Sequence, residues 1–123
     1  MNVMARIQFR QIVLSTGIAV AAAVVSLAAH ANPAHDIISG MSEGNRKETF
    51  AALLSRGGEK CPTVSRTFYQ GSDSKGDAFW NASCVGGQSW LVQVSNDAQG
   101  STRVMSCTML KAMNAGTCFT KLK

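Results

Sequence analysis

Four cysteines, Cys61, Cys84, Cys107 and Cys118, all lie downstream of an apolar leader and constrain this chain more than any other feature. The leader has a positive start at Arg6 and Arg10, a nearly unbroken apolar run from Ile12 to Ala29, and the small-x-small triplet Ala29, His30, Ala31. That is the pattern of a cleavable secretory signal, 1–31, with Asn32 as the new N-terminus. No cysteine sits at the cut, and the two arginines are not paired, which argues against a lipoprotein or twin-arginine signal. No stable membrane span is expected after cleavage. An even number of cysteines in a small exported domain predicts two disulfides. No Cys-x-x-Cys pair and no neighbouring histidine complete a zinc set.

Cleavage leaves 32–123, enough for one domain whose core alone gives limited stability. Its net charge is small. Arg6 and Arg10 leave with the signal, so ten of the twelve basic residues remain against seven acidic ones. They are scattered along the chain, which fits a solvated surface and not a nucleic-acid footprint.

The pattern first reads as helix, then as strand. The segment 32–41 is short and mixed and is expected to be flexible. From Ser42 to Arg56 the chain carries an N-cap serine, Glu43 in the first turn, Phe50, Leu53 and Leu54 at helical spacing, and Gly57-Gly58 as a stop. Beyond Pro62, β-forming residues alternate between turn clusters at 71–77, 86–87 and 97–100, predicting strands near 63–70, 78–85, 89–96 and 101–108. The expected fold class is α+β. One N-terminal amphipathic helix packs on a four-stranded antiparallel β-meander within a single stapled domain, 42–123.

Pairing Gln70 with Asp77, Val85 with Ser89 and Asn96 with Ser101 sets a register for the meander. Trp80 then faces Val94, Ala82 faces Val92, Cys84 faces Trp90, Trp90 faces Cys107, and Val92 faces Met105 on the core side. Cys84 and Cys107 fall two strands apart, too far to bond, whereas Cys61 lies close to Cys84 across the first hairpin. The expected bridges are Cys61–Cys84 and Cys107–Cys118.

Catalytic signals are sparse. After cleavage only His35 remains of the two histidines, so a nucleophile–histidine system is not expected. Asp73, Asp77 and Asp97 lie where hairpin turns call for aspartate, and the Asp73–Asp77 stretch lacks the later glutamate of a calcium loop. No enzymatic activity and no cofactor are expected. An alternative is a periplasmic copper site built from Met105, Met109 and Met113 with Met41 and His35. Methionines so spaced also serve as core filler.

Phe79 and Trp80 are adjacent in a strand, so one of them must leave the core face. In the expected register Phe68 lies across from Phe79, with Leu91 and Val104 further along and Arg66, Asn81 and Gln93 between them. This apolar strip with a polar rim is a candidate surface for a protein or envelope partner. The other possibility is that the C-terminal segment with Leu110 and Phe119 folds over it, and the sequence does not choose.

The stretch from Gly76 to Val104, with Phe79-Trp80, Trp90-Leu91-Val92 and Asp97-Ala98-Gln99-Gly100, resembles the strand–strand–Asp-x-x-Gly–strand pattern of PepSY-like domains, and the upstream helix fits too. That resemblance implies an exported module that binds or inhibits a partner. It covers under half of the mature chain, and the four cysteines lie outside that family's pattern. The whole mature sequence also looks like the small cysteine-bearing exported proteins of proteobacteria that have no assigned function. Neither likeness supplies a catalytic residue. The expected role is a non-enzymatic binding or inhibitor-like module, periplasmic or secreted.

Overall fold

Two helices lie against one face of a four-stranded sheet and a third helix lies on the other, in a computed structural model that describes residues 32–123. The leader at 1–31 lies outside the described residues. The elements are α1 (Pro33–Gly40), α2 (Glu43–Arg56), β1 (Val64–Ser72), β2 (Ala78–Cys84), β3 (Ser89–Val94), β4 (Thr102–Ser106) and α3 (Cys107–Ala112). The strands pair antiparallel in sequence order, which makes the sheet a meander. The expected α+β class and meander are therefore present.

Helix α2 forms as its residues predict. Ser42 caps it by accepting from the Asn45 N–H, and Gly57 ends it by donating to Leu53 O. Phe50 and Leu54, one turn apart, are fully buried and pack into the core with Trp80, Ala82, Val92 and Val94.

The segment expected to be flexible is instead a helix, α1. Asn32 caps it, Pro33 occupies its first turn and Asp36 follows in that turn, all favourable to a helix start. Asn32 does more than cap. Its Nδ2 donates to Gly76 O and Val94 O, 3.0 Å each, while its Oδ1 accepts from the His35 N–H. Ile38 enters the core, and the Arg46 guanidinium donates to the carbonyls of Ile38, Ser39 and Met41.

The registers differ from the expected ones. Trp80 faces Val92 and Ala82 faces Trp90, a slip of two residues that leaves every side chain on its expected face. Between β3 and β4 the slip is one residue, with Val92 facing Val104 and Trp90 facing Ser106. A one-residue slip exchanges the faces of a strand, so Val104 turns to the helix side and Met105 to the other. The cause is the turn. The Ser95 N–H bonds Ser101 O across a loop one residue longer than Asp97–Gly100, with Gly100 at φ 61° and Asp97 accepting from the Gln99 and Ser101 N–H groups.

The disulfides join Cys61 to Cys84 and Cys107 to Cys118, as expected, with Cα separations of 5.5 and 5.7 Å. The first is buried in the core and the second is half-buried at the start of the C-terminal segment.

Candidate functional site

The face of the sheet away from α1 and α2 is where the C-terminal segment settles. Two buried amides in the strands hold it there. Asn81, at the centre of β2 and fully buried, accepts the Phe119 N–H at 2.6 Å and donates to Trp80 O and Gln70 Oε1. Gln70 Nε2 donates to Thr117 O and Thr120 O, 2.9 Å each, and its backbone carbonyl accepts from the Leu122 N–H. A buried amide left without partners costs roughly 1–3 kcal/mol, so these bonds specify where the segment lies. Cys107–Cys118 ties the same segment to α3.

This arrangement decides the fate of the predicted strip. Phe68 is opposite Asn81, not Phe79, because the first hairpin closes on Ser72 and Ala78 instead of Gln70 and Asp77, and the bulge between Tyr69 and Gly71 takes back only one residue of that three-residue shift. Its ring packs against Phe119 with centroids 6.0 Å apart, and the Arg66 guanidinium lies 4.6 Å from the Phe119 centroid. Phe68 and Arg66 thus sit together against the folded-over segment. Val104 belongs to the opposite face, partly buried on the core. Of Phe68, Phe79, Leu91, Val104 and Arg66, only Phe79 and Leu91 line an opening.

That opening is a cleft of about 430 Å³ between the sheet and the C-terminal segment. Phe79, Leu91, Leu110 and Leu122 line it, with Gln70, Asp73, Lys121 and Lys123 among its polar groups. Its size falls in the range that holds a small ligand or a side-chain cluster, and its lining mixes apolar surface with a few polar groups, as such sites do. Gln70 and Asn81 were not singled out as site residues from sequence. A polar residue on an outward strand position reads as a solvated rim, and only the path of the distant 117–122 segment shows that these amides bind backbone.

The remaining candidates are structural in their visible contacts. Asp73 Oδ1 accepts from the Lys75 and Asp77 N–H groups, while Asp77 takes the Asn96 N–H on one oxygen and Gln93 Nε2 on the other. Asp97 closes its own turn, where hydrogen bonds, led by the Ser101 N–H, hold its carboxyl below the usual carboxylate range. The three carboxylates thus serve turns, the role favoured from sequence. Of the alternative copper set, Met41 and His35 lie with α1, and Met41 Sδ accepts from the Thr49 hydroxyl. Met105 is on β4, and Met109 and Met113 are exposed along and just after α3.

Among the described residues no helix is long and apolar enough to cross a membrane. The two disulfides are compatible with an oxidising extracellular compartment. Compared with protein families, curated proteins and solved structures, the chain matches none.

Proposed function

We propose that this chain is an exported, non-enzymatic binding module that holds an apolar group of a protein or envelope component in the cleft beneath its C-terminal segment. The observation that carries the reading is the cleft itself, where Phe79 and Leu91 of the sheet face Leu110 and Leu122 across about 430 Å³. Apolar side chains at such an opening gain by being covered, roughly 25 cal/mol for each Å² removed from water. The resemblance to PepSY-like domains, which bind or inhibit partners, points the same way. Two disulfides and the leader-like start support a periplasmic or secreted location.

The test is affinity capture from envelope extract with the cleaved domain, 32–123, and its Phe79→Asp and Leu91→Asp variants, alongside Val85→Asp at an exposed position away from the cleft. A partner held by the parent and by Val85→Asp but lost from both cleft variants, each still folded by circular dichroism, is the expected result. A partner retained by the cleft variants removes the cleft from consideration.

A further inference from the structure

We propose that α1 is an acid-released latch, in which protonation of His35 removes the acceptor that its imidazole offers to Trp80 and undocks Pro33–Gly40 from the aromatic rings beneath it. An indole N–H can only donate. Trp80 Nε1 lies 3.1 Å from His35 Nδ1, so Nδ1 carries the lone pair and Nε2 carries the hydrogen. The Ser39 hydroxyl lies 3.2 Å from Nε2 and 3.4 Å from Nδ1. The imidazole stacks on Tyr69, centroids 4.6 Å apart and planes 28° apart, and its centroid is 5.7 Å from that of Trp80. A proton added at Nδ1 sets a donor against a donor. The hydrogen bond becomes a repulsion at the point where α1 meets the sheet.

Two cations lie on the rings that His35 meets, and one carboxylate favours its imidazolium. Arg46 of α2 lies 5.1 Å from the Trp80 centroid, and its partner Glu43 is 3.0 Å away on the exposed side. Lys121 of the C-terminal segment lies 4.9 Å from the centroid of Tyr69, the β1 residue that His35 stacks upon. The carboxylate acting on His35 is Asp36, on α1 itself and exposed. Burial lowers the His35 pKa below its ordinary value, and Asp36 offsets this only in part. The native state therefore binds this proton less readily than the unfolded chain. The latch is closed above the ordinary histidine range and weakens as pH falls through it.

Three other anchors hold α1. They are the Asn32 amide, the Ile38 side chain and the Arg46 bonds to the last carbonyls of the helix. Release would uncover Trp80, now 4% exposed, and with it a tryptophan–tyrosine surface on the side of the sheet opposite the cleft. Such paired rings suit protein contact.

Amide exchange of the cleaved domain, 32–123, tests this at neutral and mildly acid pH, with His35→Gln as the comparison because its amide accepts a hydrogen bond without titrating. Between pH 7 and about pH 5, exchange in Pro33–Gly40, corrected for its intrinsic pH dependence, should rise at least about tenfold in the parent, and it should stay flat in His35→Gln. An equal acid response in both proteins, or none in the parent, overturns the latch. If His35→Gln does not fold, the parent decides alone. Its His35 ring resonances and its α1 exchange must then share one pH midpoint, and separate midpoints overturn the proposal.

Discussion

Asn81 accepts the Phe119 N–H at 2.6 Å from the middle of β2, so a fully buried strand amide fixes a segment 38 residues further along the chain. Asn81→Leu removes that acceptor and leaves the Phe119 N–H and Gln70 Oε1 without a partner. We expect a loss of about 1–3 kcal/mol in urea unfolding, together with loss of protection at the Phe119 amide. A variant that unfolds earlier but keeps Phe119 protected would show that the segment is held by other means.

The two disulfides close loops of similar effect but sit in different surroundings. Removing either should cost about 3 kcal/mol on a loop-entropy argument, with sequence separations of 23 and 11. Cys61 and Cys84 are 3% and 5% exposed, whereas Cys107 and Cys118 are half-buried. Mild reduction should therefore open Cys107–Cys118 first, loosening the segment over Phe79 and Leu91. Differential alkylation with mass spectrometry reads the order, and prior labelling of Cys61 and Cys84 would refute it.

What could be read from the sequence was what local pattern and period two dictate. Helix α2, the four strands and both bridges follow from caps, alternation and hairpin order, and the core survived a two-residue register error because Trp80, Ala82 and Val92 kept their faces. Val104 did not, because a single extra loop residue before β4 reverses a whole strand, and the Asp97–Gly100 sequence suits either loop length. Phe68 missed Phe79 because the first hairpin closes on Ser72 and Ala78 instead of Gln70 and Asp77, and the Tyr69/Gly71 bulge recovers one residue of that shift. Helix α1 was legible in principle, since Asn32-Pro33 followed by Asp36 is a start signal, but its eight residues make only about two turns, too few to set a helical pattern apart from a mixed stretch. The cleft was not legible. It depends on amides at Gln70 and Asn81 meeting a backbone about 40 to 50 residues away.

Glu43 joins α2 to the sheet through its carboxylate, which accepts the Thr67 hydroxyl at 2.7 Å and the Thr67 N–H at 3.0 Å and pairs with Arg46. Desolvation alone would raise its pKa, but the Thr67 bonds and the charges of Arg46 and Lys47 outweigh it and hold the carboxyl below its ordinary value. A depressed carboxylate stabilises the fold above its unfolded pKa, and that contribution fades as pH falls through the folded value. Glu43→Gln should lower stability at neutral pH by about 0.5 kcal/mol, given the exposure of the pair, and should flatten the acid limb of the urea midpoint against pH. An unchanged acid limb would assign that sensitivity to other carboxylates.

Gly100 sits at φ 61° in the β3–β4 turn, and a Cβ placed there would lie 2.7 Å from the Ala34 Cβ of α1. Gly58, at φ 81°, has nothing within 4 Å of the same added atom. The two glycines therefore separate conformation from collision. Gly58→Ala should cost only the left-handed backbone, about 1 kcal/mol, whereas Gly100→Ala should cost that and the displacement of α1, about 2–3 kcal/mol together. Pairing Gly100→Ala with Ala34→Gly removes the methyl that is struck, so the double variant should recover the excess and restore amide protection in Pro33–Gly40, a coupling that a double-mutant cycle measures directly. Additive losses at the two sites would mean that α1 does not rest on this turn, and the docking of α1 would then depend on Asn32, His35, Ile38 and the Arg46 bonds.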